Sequence, residues 1–172
     1  MPILEILTFP HPVLRRRAAE ITRIDDRVRE LAKAMVETMH NAPGIGLAAP
    51  QVGVSERMIV VDLSVGGKPE DLLILVNPEI VNGEGELVLE EGCLSLPGLN
   101  ENVTRSQKVV VSGYDLEGKE VEVEAEELFA IALQHEIDHL DGVLFLDHIS
   151  RLKRSRYMTR RKKDLADGAR EE

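Results

Sequence analysis

Between Glu126 and Leu140 runs an apolar stretch that carries His135-Glu136-Ile137-Asp138-His139 near its end, and no other feature restricts the fold as strongly. Residues i and i+4 of a helix lie about 40° apart around its axis, so both imidazoles leave one face a single turn apart, close enough to share an ion. The same stretch puts Leu128, Ile131 and Ala132 on one side and Phe129, Leu133, Ile137 and Leu140 on another. A helix that is apolar nearly all round belongs in the middle of a fold. Two imidazoles and a carboxylate placed there must be satisfied by partners. A metal ion would satisfy them, but two histidines do not complete a site, and a catalytic ion needs a third protein donor and one open position for water.

Cys93 is the candidate for that donor. It stands in Glu90-Glu91-Gly92-Cys93-Leu94-Ser95 at the end of an expected strand, and a thiolate in a Gly-flanked turn is a strong donor to a soft or borderline ion. It is the only cysteine, which excludes an intramolecular disulfide framework and suits a reducing cytoplasm. A third segment, Gly44-Ile45-Gly46-Leu47-Ala48-Ala49-Pro50-Gln51-Val52-Gly53, is no phosphate loop, since it has no Lys after its glycines and follows a helix rather than a strand. Its small residues let backbone pass close to something, and Gln51 offers an amide that donates or accepts.

The surrounding pattern is that of an α+β domain. From Asp25 to His40 the residues Val28, Leu31, Met35 and Met39 recur at helical spacing, and Asn41 to Gly53 reads as a shaped loop. Arg57 to Leu63, Leu72 to Val76 and Gly85 to Glu90 read as short strands, and Lys108 to Tyr114 with Lys119 to Glu124 as a hairpin around Asp115-Leu116-Glu117-Gly118. A basic helix is expected over Ser150 to Leu165. The fold expected is thus antiparallel or mixed sheet packed around the central helix, with one helix before and one after. At 172 residues this is material for one catalytic domain, residues 1–150, with 151–172 as its basic C-terminal helix or tail. With aromatics at 3% and no Trp, its core must be aliphatic.

Charge limits the partners. The net charge of −10 argues against DNA or an anionic membrane as a ligand of the whole surface. Arg151 to Lys163, however, holds eight basic residues and no acidic one. No segment supplies 18 continuous apolar residues, and Met1 to Glu5 has neither the basic start nor the apolar run of a signal peptide, so a cytoplasmic protein is expected. Three readings of the residues stand at this point. They are a metal-dependent hydrolase, a metallopeptidase of the H-E-x-x-H type whose third ligand is usually His or Glu, and a non-catalytic module with a closed zinc site that would need a fourth donor such as His11, His40 or His148.

Taken together, the three segments resemble the peptide deformylase family. That family carries G-x-G-x-A-A-x-Q, E-G-C-x-S and Q-H-E-x-D-H in this order, and here they stand intact as Gly44 to Gln51, Glu91 to Ser95 and Gln134 to His139. The resemblance runs from the first residues to about Ile149 and implies removal of the formyl group from N-formylmethionine of nascent bacterial polypeptides. By it, Cys93, His135 and His139 would hold one divalent ion, Fe²⁺ in the cell with Zn²⁺, Ni²⁺ or Co²⁺ able to substitute. Glu136 would be acid and base, Gln51 and the Leu94 backbone N–H would face the developing oxyanion, and Gly46 would present its backbone to the substrate. Leu128, Ile131 and Ala132, with Ile45 and Leu89 opposite, are expected to line the methionine pocket. The basic tail is a candidate contact for the ribosome. Leu96 to Arg105 and the residues after Ile149 match no motif.

Overall fold

The computed structural model describes residues 3–171, of which 169–171 by their backbone alone. The chain forms helix α1 (Asp26–Asn41), strands β1 (Gly46–Ala48), β2 (Met58–Val61), β3 (Leu73–Glu84), β4 (Leu87–Gly92), β5 (Asn100–Arg105), β6 (Lys108–Tyr114) and β7 (Glu120–Glu126), then helices α2 (Glu127–Leu140) and α3 (Arg151–Glu171). Five strands make one antiparallel sheet in the order β1-β2-β3-β6-β7, while β4 and β5 pair as a separate hairpin.

Local chemistry explains the element ends. The Asp25 carboxylate caps α1 by accepting the Val28 N–H, as a short acidic side chain at this position does. In the β6–β7 turn the Asp115 carboxylate accepts from the Glu117 and Lys119 N–H groups, and Gly118 takes the left-handed angle (φ 83°) that closes it.

The large sheet is covered on both faces. Ile59 and Val61 of β2 pack with Leu133, Ile137 and Leu140 of α2, whereas Met58 and Val60 pack with Val28, Met35 and Met39 of α1. This is the period-2 alternation of a strand buried on both sides. Each fully buried Leu or Ile contributes about 1.5–3 kcal/mol, so α2 is anchored on the sheet by its apolar residues alone. Its last carbonyl, Leu140, accepts from Arg57 at 2.9 Å, and Arg57 pairs with Asp141 at 3.0 Å. The helix that bears both histidines is therefore held along its length and at its end.

A second core gathers Phe9, Leu14, Leu96, Leu99, Val103, Phe145 and Tyr157 around the β4–β5 hairpin. Helix α3 joins it through the buried Tyr157, whose hydroxyl donates to the Pro97 carbonyl at 3.0 Å, while Arg160 reaches the Gly98 carbonyl and Arg161 the Phe9 carbonyl, each at 2.9 Å. No helix among the described residues is long and apolar enough to cross a membrane.

Three expectations needed adjustment. The loop over 41–53 contains β1 and a 3-10 turn at Ala49–Val52; β3 continues past Val76 to Glu84; and α3 runs on to Glu171. Asn100–Arg105, for which no element was expected, is a strand. Helix α2 is not buried all round in its first turn, since Leu128 is 46% exposed. Strands β1 and β5 exist through their partners, and the outer half of β3 is exposed throughout, so it shows no alternation of buried and exposed residues.

Candidate metal centre

Glu136 and the histidine pair enter the site from α2, Cys93 from the residue after β4, and Gln51 from the 3-10 turn after β1. One ligand atom each from Cys93, His135 and His139 falls within a group whose members are all within 4.8 Å of one another. The Cys93 Sγ lies 3.4 Å from His139 Nε2, and the two imidazole centroids are 5.0 Å apart, as one helical turn requires. His11 caps a 3-10 turn, His40 pairs with Asp62 and His148 with Asp138, so none of these three joins the group as a fourth donor.

The arrangement suits a cation. His135 Nδ1 donates to Glu91 Oε1 at 2.9 Å, which leaves Nε2 free to hold an ion and fixes the ring, as the support of a metal-bound imidazole would. Burial opposes charge on His135, but its hydrogen bonds with Cys93 and Glu91 outweigh that and hold its pKa well above the ordinary value. The surroundings of His135 thus favour a positive charge, which is a proton on the ring unless an ion displaces it. His139, 1% exposed, is pushed the other way by burial and by His135, toward the neutral imidazole that a ligand must be.

Glu136 is 3% exposed and its Oε1 is a buried oxygen with no hydrogen-bond partner among the described residues. That oxygen lies 3.9 Å from His139 Nε2. An orphaned buried carboxylate oxygen beside three side chains that could hold a metal is the arrangement that a bound water would satisfy. Burial, the largest influence, pushes the Glu136 pKa up to about 7, which brings it to where a carboxyl both takes and returns a proton near neutrality.

The glycine at 46 has a role the sequence did not suggest. A Cβ built there would stand 2.6 Å from Glu136 Oε2 and 3.0 Å from its Cδ and Cγ. The backbone that passes close is passing the carboxylate, and only glycine leaves that space.

A cavity of about 450 Å³ opens onto this centre. Its lining brings together Cys93, His135 and Glu136 with Gln51, Leu94, Gly46, Ile45, Leu89, Leu128, Ile131 and Ala132. His139 is not part of the lining and meets the group from within the core. The Gln51 amide accepts the Ala48 N–H through Oε1 at 2.9 Å and sets Nε2 at 3.6 Å from Cys93 Sγ.

Sequence reasoning missed the support behind these residues. Arg105 of β5 donates to Glu91 at 2.6 and 3.0 Å and to Asp138 at 2.9 Å, tying the hairpin whose connection carries Cys93 to the helix that carries the histidines. Burial raises the Glu91 pKa, but bonds from His135 and Arg105 outweigh it, so the carboxylate stays charged. Gln134 fixes the other flank through the Ser106 backbone. Glu91, Gln134 and Asp138 belong to the motifs, which was the available signal. Arg105 carried none.

A family model described as "Polypeptide deformylase" matches residues 3–155. Among curated proteins, the chain is similar to the peptide deformylase of Thermodesulfovibrio yellowstonii, 54% identical over 154 residues, covering 90% of this chain and 93% of that one. It is also similar to that of Alkalilimnicola ehrlichii, 49% identical over 168 residues, covering 98% and 94%. Among solved structures, a peptide deformylase from Legionella pneumophila superimposes with a TM-score of 0.91 at 43% identity, covering 98% of this chain and 99% of that one. One from Ehrlichia chaffeensis in complex with actinonin does so with 0.88 at 37%, covering 95% and 98%.

Proposed function

Because this chain belongs to the peptide deformylase family, a family of metal-dependent hydrolases acting on formylmethionyl nascent peptides, we propose that Cys93, His135 and His139 hold its single ion and that Glu136 moves the proton. The observation that carries the assignment is the convergence of one thiolate and two imidazoles around a cavity wall that also bears an unpartnered Glu136 oxygen.

A formamide carbonyl is a poor electrophile, so the reaction needs a stronger nucleophile than water and a place for negative charge. A bound divalent ion supplies Lewis acidity, lowering the pKa of water toward about 7 and polarising the carbonyl oxygen. Glu136 takes the proton of the attacking water, for which a pKa near 7 suits it. The carbonyl oxygen gathers charge as the tetrahedral centre forms, and the Gln51 amide and the Leu94 backbone N–H are its donors. One such donor contributes about 3–4 kcal/mol, a hundredfold or more in rate. Glu136 then returns its proton to the leaving amine as the C–N bond breaks, yielding formate and a free N-terminus.

The peptide beyond methionine lies along β1. That strand is the edge of the sheet, and Gly46 borders the cavity, so a backbone can approach there. The methionine side chain occupies the apolar part of the cavity lined by Ile45, Leu89, Leu128, Ile131 and Ala132. We take residues 1–150 as the catalytic domain and 151–172 as part of it, which the bonds from Tyr157, Arg160 and Arg161 support. The ion in the cell is Fe²⁺, with Zn²⁺, Ni²⁺ or Co²⁺ able to replace it, a donor set of one sulfur and two nitrogens suiting all four. Oxygen-sensitive activity that persists with nickel would agree, and full air-stable activity with zinc alone would contradict it.

Formyl-Met-Ala-Ser incubated with metal-replete protein should release formate and show no internal cleavage. Glu136→Gln should lower turnover by about 10² or more while the ion stays bound. A closed structural site would be indifferent to that substitution, and internal cleavage would favour a metallopeptidase. The protein works in the cytoplasm, where its exposed Arg156, Lys162 and Lys163 contact the ribosome. Reversing those three charges should abolish salt-sensitive co-sedimentation with ribosomes without unseating Tyr157; no sedimentation of the unaltered protein at low salt would refute the contact.

A further inference from the structure

We propose that Ser95 is the positioning residue that aims the Gln51 amide at the oxygen on which charge develops. The inference rests on the reading of Gln51 as an oxyanion donor and adds what holds that donor in place.

Both side chains are sealed from solvent, Gln51 at 2% and Ser95 at 0% exposure, although one follows β1 and the other follows β4. The Gln51 oxygen is committed, since it accepts the Ala48 N–H at 2.9 Å. That bond decides which end of the carboxamide is oxygen and turns the nitrogen toward Cys93. The nitrogen carries two hydrogens. One goes to Ser95 Oγ at 3.1 Å, and the other is donated toward Cys93 Sγ at 3.6 Å, from where a developing oxyanion beside that sulfur can take it over. With the oxygen anchored and one hydrogen on the hydroxyl, the second hydrogen is the one directed at the metal centre.

The Ser95 backbone is itself held, because its carbonyl accepts the Phe9 N–H at 2.8 Å and ties the residue to the N-terminal segment. Alanine would strand a buried amide hydrogen, and the terminal torsion of glutamine is broad enough to swing until the loss is shared. An oxyanion donor is effective because it is in place before charge appears. Rotation of the amide therefore reaches the transition state and leaves substrate binding untouched.

A double-mutant cycle on metal-replete enzyme tests this, with kcat taken per bound ion. Ser95→Ala should lower kcat about tenfold with KM within about twofold and the metal stoichiometry unchanged. In a Gln51→Met background, which keeps side-chain length and removes the amide, the same substitution should change kcat by less than about twofold. An unchanged kcat in Ser95→Ala, an equal loss in both backgrounds, or a loss confined to KM would overturn the proposal. If Gln51→Met itself left kcat intact, the oxyanion reading of Gln51 would fall with it.

Discussion

Replacing Arg105 by Met should weaken the protein and its hold on the ion together, through a residue that touches neither metal nor substrate. The guanidinium has a side-chain exposure of 5% and meets Glu91, at 6%, and Asp138, at 26%. Methionine fills a similar volume, so packing changes little. The loss is electrostatic: Glu91 would remain buried and charged with only His135 to satisfy it. Breaking a buried pair from one side costs about 3–5 kcal/mol. For a domain of this size each kcal/mol moves the melting temperature by about 2–4 °C, so a fall of about 6–20 °C is expected in metal-stripped protein. Because Glu91 also orients His135, metal affinity measured by chelator competition should drop about 10–100-fold. The double variant Arg105→Met with Glu91→Gln separates a stranded charge from a general packing defect. Glutamine can still accept from His135 Nδ1 and carries no charge, so at least half of the lost stability should return. A single variant that melts within about 2 °C of the parent, or a double variant no better than the single one, would refute this account.

Gly46→Ala should place a methyl against the Glu136 carboxylate, 2.6 Å from Oε2, and lower kcat about a hundredfold with metal content retained; normal turnover would mean that the carboxylate has other room. Ile131→Phe should raise KM for formyl-Met peptides more than it alters metal content, and the reverse ranking would remove Ile131 from the methionine pocket. Acid should unfold the protein through its paired carboxylates. In Glu91, Asp138, Asp147 and Asp62 burial works to raise the pKa, but hydrogen bonds outweigh it, and Asp62 is lowered to about 2. A carboxylate whose folded pKa lies below its unfolded one contributes stability that is present above the unfolded value and is lost as pH falls through the folded one. The part of the denaturant midpoint that these four carboxylates supply should therefore hold above about pH 5 and decline steeply between about pH 4.5 and 2, which Asp62→Asn should flatten. A midpoint unchanged down to pH 3 would contradict the pairing.

What the sequence disclosed depended on whether a residue's role was local. Helices α1 and α2 were legible because Asp25 caps a clean apolar period and because Phe129 to Leu133, Ile137 and Leu140 set an apolar frame around the histidines. The histidine pair was legible because helical spacing alone makes i and i+4 neighbours. Strand β5 was not, since Asn-Glu-Asn-Val-Thr-Arg has one aliphatic residue and becomes a strand only through its ladder with β4. Arg105 was illegible for the same reason: its partners lie 14 and 33 positions away. The Gly44 to Gly53 segment was read as backbone that passes close to something, but the object that Gly46 approaches, Glu136, comes from a distant helix. Ser95 stood inside a motif without an assigned task until Gln51 was seen beside it.

X-ray absorption on the zinc-loaded protein, with formate release measured on the same preparation, tests the central claim most directly. The account predicts one ion per chain with one sulfur at about 2.3 Å, two imidazole nitrogens at about 2.0–2.1 Å and a light atom from solvent completing the shell. Cys93→Ala should remove the sulfur contribution. A shell with no sulfur, or with a fourth protein ligand where solvent should be, would contradict it.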